Sequence, residues 1–418
     1  MHRTIAEKIL QAHTTQKITG PGQIVRCNLS LVLANDITAP LAIKSFHEMG
    51  AAKVFDPEKV VFVCDHFTPN KDIDSAEQVA VTRRFAQEMG ITHYYEGGNC
   101  GIEHALLPEE GLVGPGDLVI GADSHTCTYG GLGAFSTGMG STDIAAGMVL
   151  GENWFKVPPS IKVSVHGKMG PCVQGKDVIL NLIGKIGVSG ALYKALEFSG
   201  SGVEKMSVES RLTIANMAIE AGGKAGLFPA DKKTLKYTRK AGRDDDEIKA
   251  DKLAVYESEV DIELKGMAPQ VALPHLPENV KGVDELGEIK IDQAVIGSCT
   301  NGRIEDMRQA AEILRGRKID RNVRCIIIPA TPRVWRECVR EGLMQVFIDA
   351  GAIISPPTCG PCLGGHMGIL AKGERAISTT NRNFRGRMGA LESEVLLSNP
   401  AVAAASAVTG FVTDPRSL

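Results

Sequence analysis

Short runs of apolar residues alternate along this chain with longer stretches in which apolar residues recur every three or four positions. The short runs are rich in β-branched residues and predict buried parallel strands at 60–64, 118–120, 294–296 and 352–355. The longer stretches predict helices: in RIEDMRQAAEILRG, Ile304, Met307, Ala311 and Leu314 fall on one face. This alternation predicts an α/β fold with mainly parallel sheets.

Polar motifs directly follow the predicted strands. Ligands of open parallel sheets bind outside the carboxyl ends of the strands, so residues at these positions are candidates for one shared site. We therefore expect a single site assembled from several sheets. Its candidate residues are Asp65 and His66; Asp123, Ser124 and His125; Cys299; Cys359 and Cys362; and, after a strand ending near Ser378, Asn381, Arg382 and Arg387.

Proline-containing segments divide the chain into predicted domains. Pro158 and Pro159 interrupt the pattern in NWFKVPPS, and two prolines precede a new strand in ALPHLPENVKGVDEL. We predict three α/β domains, at 1–158, 159–283 and 284–418, each a mainly parallel sheet covered by helices. The segment 232–252 mixes both signs of charge, which predicts a solvated helix or loop.

Charge and composition exclude some classes of function. The 418 residues carry a net charge of −3 and only 5% aromatic residues, which argues against a nucleic-acid surface. No apolar run is long enough for a bilayer, and the start MHRTIAEKILQAHTTQK lacks the apolar core of an export signal. We therefore expect a cytoplasmic protein that binds neither nucleic acid nor membrane.

The ten cysteines are expected to be reduced in the cytoplasm, where ligands or nucleophiles are commoner than disulfides. Free cysteine is readily buried, and six of the ten are predicted to be core residues: Cys64, Cys100, Cys127, Cys172, Cys325 and Cys338.

Cys359 and Cys362 in TCGPC allow three kinds of site. A redox dithiol usually lies at a helix start in the N-terminal part of a thioredoxin-like unit, unlike this late pair. A zinc site needs further ligands, and His366 could serve as one. Cys299, in GSCTNGR, favours an iron–sulfur cluster, because three thiolates can hold three irons of a cubane and leave the fourth open as a Lewis acid. The residues alone leave all three kinds open.

Several motifs in order resemble the aconitase superfamily. GSCTNGR and PTCGPCLGG resemble its cluster signatures, and VCDH, GIEH, GADSHT, NMAIEAGG and NRNFRGRMG resemble its active-site segments. The resemblance runs from LANDITAP, near residue 33, to the C-terminus. GALYKALEF and NPAVAAASAVTG are most similar to large subunits of two-subunit 3-isopropylmalate dehydratases. Large subunits of homoaconitases and of hydro-lyases acting on 2,3-dimethylmalate and other 2-alkylmalates are very similar.

The resemblance implies a cofactor and a reaction. One [4Fe-4S] cluster would be held by Cys299, Cys359 and Cys362, with the fourth iron open to the substrate. The implied reaction is the isomerisation of 2-isopropylmalate and 3-isopropylmalate through 2-isopropylmaleate, in leucine biosynthesis. The fold it implies is three α/β/α domains around a cluster cleft.

The resemblance also implies roles for the polar residues. Its catalytic positions match His66 paired with Asp65, which would protonate the leaving hydroxyl, then His104 with Asp123, and His125 with Glu220. Asn216 and Glu220 are predicted to share a helix face at i, i+4. The implied substrate-binding residues are Asn35, which stands where relatives often carry glutamine, Ser124, Asn216, Asn381, Arg382 and Arg387.

A separate partner is the last implication. Single-chain relatives continue into a fourth, swivelling domain that supplies the serine base, whereas this sequence stops at TGFVTDPRSL. Elimination of water needs a base at one carbon and an acid at the next. We therefore expect a small swivel-domain subunit that joins this chain in a heterodimer or heterotetramer, and no activity without it.

Overall fold

The computed structural model of this protein describes residues 2–418. In chain order, the strands are β1 (Ile24–Asn28), β2 (Leu31–Asn35), β3 (Val60–Val63), β4 (His93–Tyr95), β5 (Leu118–Gly121), β6 (Phe135–Gly138), β7 (Glu152–Lys156), β8 (Ser160–His166), β9 (Ala195–Ser199), β10 (Ala225–Leu227), β11 (Ser258–Glu263), β12 (Gln270–Ala272), β13 (Val280–Gly282), β14 (Gln293–Gly297), β15 (Arg324–Ile328), β16 (Ile353–Ile354), β17 (Arg375–Ser378) and β18 (Glu394–Leu397).

The α-helices are α1 (Ile5–Ala12), α2 (Ala39–Glu48), α3 (Ile73–Met89), α4 (Glu103–Glu109), α5 (Ser141–Leu150), α6 (Gly175–Ile186), α7 (Ser201–Lys205), α8 (Val208–Asn216), α9 (Lys232–Lys240), α10 (Ser298–Asn301), α11 (Ile304–Leu314), α12 (Pro332–Arg340), α13 (Leu343–Ala350), α14 (Gly360–Leu363) and α15 (Pro400–Thr409). Short 3-10 helices span Gly97–Asn99, Ser124–Leu132, Met217–Ala221, Val283–Glu285 and Pro415–Ser417. No helix within residues 2–418 has the length and apolar character needed to cross a membrane.

The chain folds into two compact units. The first comprises Met1–Val165 and Ala191–Asp261, and the second comprises His166–Gly190 and Ile262–Leu418. The predicted division into three domains stays a prediction.

A five-stranded parallel sheet, in the order β4-β3-β2-β5-β6, forms the centre of the first unit. Successive side chains of a strand point to opposite faces, and both faces of this sheet are covered. Val60 and Phe62 of β3 belong to one buried cluster, and Val61 and Val63 belong to another. This two-sided burial explains why the strand reads as an unbroken apolar run. A second sheet of this unit has the order β10-β9-β8-β11.

A seven-stranded sheet, in the order β13-β12-β18-β17-β14-β15-β16, forms the second unit. The five strands from β18 to β16 are parallel, and β12 and β13 are antiparallel additions at one edge. Met307, Ala311 and Leu314 of α11 lie in the core of this unit, as the helical pattern predicts. The α/β class with mainly parallel sheets is confirmed.

One predicted strand is shorter and less buried than its sequence indicates. The run 352–355 forms only β16, and Ile353 is 53% exposed. β16 pairs with β15 alone because it lies at the edge of the sheet, where less of each face is covered.

Candidate active site

The first group of candidate residues lies at the carboxyl ends of the strands of the five-stranded sheet. Asp65 and His66 come directly after β3 and are buried. His66 Nδ1 lies 2.6 Å from Asp65 Oδ1. The backbone N–H groups of His66 and Phe67 donate to Asp36, at 2.9 and 2.8 Å. Both the ring and the backbone of His66 are therefore held by carboxylates.

His66 is electrostatically suited to carry a proton. Burial disfavours its imidazolium form, but the hydrogen bond and the charge of Asp65 act in the opposite direction, and the charge of Asp36 adds to them. The balance raises the pKa of His66 well above its usual value. Since Nδ1 is committed to Asp65, Nε2 remains as the ring atom that can exchange a proton with a reactant, and it lies 4.0 Å from Asp123 Oδ2.

Asp123 is the centre of a second set of contacts. Its Oδ1 lies 2.8 Å from His104 Nε2 and accepts the backbone N–H of His125 at 2.7 Å. Burial opposes ionisation of this carboxyl, but the hydrogen bonds from both histidines hold the pKa of Asp123 well below its usual range. Burial also lowers the pKa of His104. A carboxylate can only accept, so a neutral His104 donates from Nε2, and its Nδ1, 3.1 Å away, accepts from the Tyr129 hydroxyl.

His125 connects the five-stranded sheet to a helix of the same unit. Its Nε2 lies 2.8 Å from Glu220 Oε1, and Asn216 Nδ2 donates to Thr128 Oγ1 at 2.8 Å. The structure thus places Asn216 and Glu220 against the same 3-10 segment, Ser124–Leu132.

The helix that was predicted to carry Asn216 and Glu220 changes from α to 3-10 between them. α8 ends at Asn216, and Glu220 lies in the 3-10 helix Met217–Ala221. The chain tightens there before Gly222, whose φ of 83° closes the helix in the left-handed conformation.

Asn35 and Ser124 occupy different surroundings. Asn35 is buried at the end of β2, where its Oδ1 accepts from the backbone of Ile37 and Thr38. Its Nδ2 donates to Glu103 Oε1 at 3.2 Å. Ser124 lines a cavity of about 560 Å³, together with Asp123. A role in substrate binding stays a prediction for both residues.

The second group contains the candidate cluster cysteines. Cys299 lies two residues after the end of β14. The last residue of this strand, Gly297, has a φ of 139°. A Cβ at Gly297 would lie 2.2 Å from the carbonyl oxygen of Ile328, so only glycine fits there. Thr379 Oγ1 binds both sides of this turn, since it accepts from Gly297 N and donates to Gly297 O.

One amide side chain contacts two of the three candidate sulfurs. Asn381 Nδ2 donates to Cys299 Sγ at 3.4 Å, and its Oδ1 accepts from Cys362 Sγ at 3.4 Å. Arg387 Nη2 also donates to Cys362 Sγ, at 3.5 Å. Cys359 stands directly before α14, and Cys362 lies within it, so its backbone N–H donates to the Cys359 carbonyl. Arg382 is half-buried beside Asn381.

Sequence reasoning missed Lys176, a buried cation of the second unit. Its Nζ donates to the carbonyl oxygens of Thr379, at 2.9 Å, and Thr380, directly before Asn381. Burial lowers the pKa of Lys176 to about 7, while negative charge on Cys362 and Cys299 acts in the opposite direction. A lysine next to the apolar run VILNLI was visible in the sequence, but its burial was not.

The remaining cysteines largely occupy the core. Cys172 is the exception, since it is half-buried with a φ of 59°, outside any helix or strand, so its prediction as a core residue is wrong. None of the ten cysteines, all within the described part of the chain, forms a disulfide.

Comparisons with known proteins show the family of this chain. The model of the Aconitase family (aconitate hydratase) matches residues 7–288 and 281–410. The chain is 68% identical over 418 residues to the 3-isopropylmalate dehydratase large subunit of Oleidesulfovibrio alaskensis, with 100% of both chains covered. It is 61% identical over 419 residues to that of Moorella thermoacetica, again with 100% of both covered. Among solved structures, aconitase X of Thermococcus kodakaraensis, in its holo form, matches 90% of this chain and 88% of that chain, at 16% identity and a TM-score of 0.48.

Proposed function

This chain belongs to the aconitase family, and from that premise we propose that it is the large subunit of a hydro-lyase that interconverts 2-isopropylmalate and 3-isopropylmalate through 2-isopropylmaleate. The observation that carries the proposal is the 68% identity, over the full length of both chains, to a relative named 3-isopropylmalate dehydratase large subunit. The reaction removes a hydroxyl from one carbon and a proton from its neighbour, and then returns water with the two positions exchanged.

The proposed cofactor is a [4Fe-4S] cluster held by Cys299, Cys359 and Cys362. The donor set fits this group, because the sulfurs of Cys299 and Cys362 already share contacts with Asn381. Cationic side chains favour the thiolate form that such ligands need, and Arg387 contacts Cys362 directly. With three cysteine ligands and an open fourth iron, the cluster would supply Lewis-acid polarisation of the C–O bond that breaks.

His66 is the proposed general acid. A leaving hydroxide is a poor leaving group at neutral pH, and its departure is eased by a proton delivered from a positioned imidazolium. The raised pKa of His66 keeps this proton available, and Asp65 fixes the ring so that Nε2 delivers it. The other proposed catalytic residues lie in the same unit as His66: Asp123, His104, His125 and Glu220.

The proposed substrate contacts are the arginines and small polar residues of the predicted motifs. Isopropylmalate carries two carboxylates, and guanidinium groups bind carboxylates through two parallel hydrogen bonds. We assign this role to Arg382 and Arg387, with Ser124 and Asn216 as neutral donors. Asn381 would instead orient the sulfurs, in keeping with its contacts. Asn35 remains a proposed substrate-binding residue, and its side chain also donates to Glu103.

A small subunit is the proposed partner, because the relatives that match this chain over its full length are named large subunits. It would supply the base that removes the carbon-bound proton, in a heterodimer or heterotetramer. The large chain alone would then bind iron and sulfide without catalysing turnover.

The test is anaerobic reconstitution of the chain with and without its small subunit. Formation of the alkene is followed in the ultraviolet with 3-isopropylmalate, homocitrate and 2,3-dimethylmalate as substrates. We expect turnover of 3-isopropylmalate only when both subunits are present. The Cys359→Ser variant should lose iron, sulfide and activity, and Cys338→Ser, at a buried core position, should keep all three.

Each other outcome contradicts a specific part of the proposal. A preference for homocitrate or 2,3-dimethylmalate would contradict the proposed substrate. Turnover by the large chain alone would contradict the proposed need for a small subunit. Bound zinc without inorganic sulfide would contradict the cluster and support a zinc or dithiol protein.

A further inference from the structure

Glu103 is a buried carboxyl group beside the proposed acid, and no role has been given to it above. It begins α4, directly after Ile102, and is 1% exposed. Its Oε1 accepts from Asn35 Nδ2 at 3.2 Å and lies 3.5 Å from His104 Nε2. No group within residues 2–418 forms a hydrogen bond to Oε2. An ionised carboxylate in such a place would leave one oxygen buried without a donor, which is strongly unfavourable.

The negative charges around Glu103 are unfavourable to its ionisation, and only the imidazolium of His66 acts in the opposite direction. None of its hydrogen bonds or ion pairs involves a lysine or an arginine. The carboxyl of Asp65 accepts the backbone N–H of Glu103 at 2.8 Å, so one negative charge is already adjacent. Burial, followed by the charges of Asp65 and Asp123, outweighs the charge of His66 and the hydrogen bond from Asn35 and raises the pKa of Glu103 well above its usual value. His104 faces it from its own helix, and the titratable groups that face it from other segments are Asp65, His66, Cys100, Asp123 and Tyr129.

Glu103, His66 and Asp123 each place one polar atom within 4.8 Å of the others. Three atoms no more than 4.8 Å apart all lie within about 2.8 Å of a common point, which is the length of a hydrogen bond. An oxygen atom that occupied this point would contact all three side chains. It would meet an imidazolium N–H of His66, a carboxylate of Asp123 and the carboxyl of Glu103.

We propose that Glu103 is a positioning residue that stays in the neutral carboxylic acid form, and that its hydroxyl holds the oxygen that leaves or enters in the reaction against His66 Nε2. A neutral acid has a donor that a carboxylate lacks, so Glu103 and His66 both donate to this oxygen, and Asp123 accepts from it. The proposal rests on the proposed function only in naming the oxygen as that of a substrate hydroxyl or of water. The protonation of Glu103 itself is a property of the chain alone.

The charge of Glu103 is tested first, on the large subunit without substrate. The pKa of His66 is measured by nuclear magnetic resonance of ¹⁵N-histidine-labelled protein, with His66→Gln used to assign the signal. In the Glu103→Gln variant a neutral amide replaces the proposed neutral acid, so the pKa of His66 should stay the same. If Glu103 were a carboxylate, its removal would lower the pKa of His66 by about one unit or more, and the proposal would be overturned.

The role of Glu103 as a hydrogen-bond donor is tested second, in the complete enzyme with its small subunit. Glu103→Gln keeps an N–H donor and should retain kcat within about threefold, whereas Glu103→Met keeps the volume, lacks the donor and should lose about ten- to a hundredfold in kcat. The pH profile of both variants should match that of the unaltered enzyme, because neither change removes a charge. Equal kcat for both variants, or a shifted profile, would contradict the proposal.

The two tests separate this proposal from the proposed function. An unchanged pKa of His66 in Glu103→Gln, together with an inactive unaltered enzyme, would contradict the assigned reaction and leave Glu103 neutral. A lowered pKa together with normal turnover would contradict the role of Glu103 and leave the reaction standing.

Discussion

Replacement of Asp65 by asparagine is expected to lower the pKa of His66 by about one to three units. Asp65 Oδ1 lies 2.6 Å from His66 Nδ1, and both side chains are buried. Two unit charges at about 4 Å interact by about 4 kcal/mol at the effective dielectric constant of about 20 that suits protein sites. At about 1.36 kcal/mol per pKa unit, loss of the whole charge corresponds to about three units. Asp36, 3.8 Å from the same nitrogen, remains in the variant and still favours the imidazolium, so about three units is the upper limit of the expected change.

The sign of the effect on activity follows from the proposed role of His66. If the imidazolium is the acid, kcat/KM for dehydration falls as pH rises through the pKa of His66. The Asp65→Asn enzyme should therefore lose activity at a pH about one to three units lower than the unaltered enzyme. The raised pKa also adds stability that is complete below the unfolded pKa of about 6.5 and disappears as pH rises through the folded value. This contribution should shrink in the variant.

The assay is the pH profile of kcat/KM with the small subunit present, together with the ¹⁵N titration of His66 in the large subunit. Asp56→Asn is a suitable control, because Asp56 is a partly exposed carboxyl paired only loosely, at 3.8 Å, with Lys59. An alkaline limb that did not move, or that moved upward, would refute the assignment of His66 as the acid. A lowered pKa of His66 in the ¹⁵N titration, with an unchanged pH profile of kcat/KM, would refute the assignment as well. It would show that His66 is not the group whose proton transfer limits the reaction.

Three further changes have expected outcomes. Gly297→Ala should abolish the visible iron–sulfur absorbance of reconstituted protein, because a Cβ there meets backbone, whereas Gly287→Ala, where a Cβ meets nothing within 4 Å, should leave it intact. Arg211→Met should lower the free energy of unfolding in urea by about 3–5 kcal/mol, since Arg211 is fully buried with an ion pair at 2.6 Å. Arg26→Met, at an exposed pair, should change it by less than about 1 kcal/mol. At a pH below the lowered pKa of Lys176, Lys176→Met should move the reduction potential of the reconstituted cluster to a more negative value, since a nearby positive charge favours the added electron; an unchanged potential would contradict the electrostatic contribution.

Strand-exit motifs were the most informative part of the sequence. Asp65, His66 and Asp123 could be placed together because parallel strands all present their carboxyl ends at one edge of a sheet, and a run such as VVFVC is recognisable as a strand. The pairing of Asp65 with His66, and that of Asp123 with His104, was implied by the resemblance to the family. The structure gives both pairs hydrogen-bond distances.

Features that depend on tertiary context could not be predicted. The change from α-helix to 3-10 helix after Asn216 is not indicated by the helical pattern. Lys176 and Glu103 are ordinary surface residue types in most proteins. Their importance arises from complete burial, which is decided by packing rather than by spacing.

The buried acids around His66 also affect how this protein would change under selection. Asp36 and Asp65 are withdrawn from water in a unit whose sheet is otherwise apolar. Substitutions that remove such groups and repack the space commonly stabilise a fold, at the expense of activity. A laboratory library screened for heat resistance alone should therefore lose these acids early. A library screened for growth without leucine should keep them, even when its other substitutions stabilise the fold.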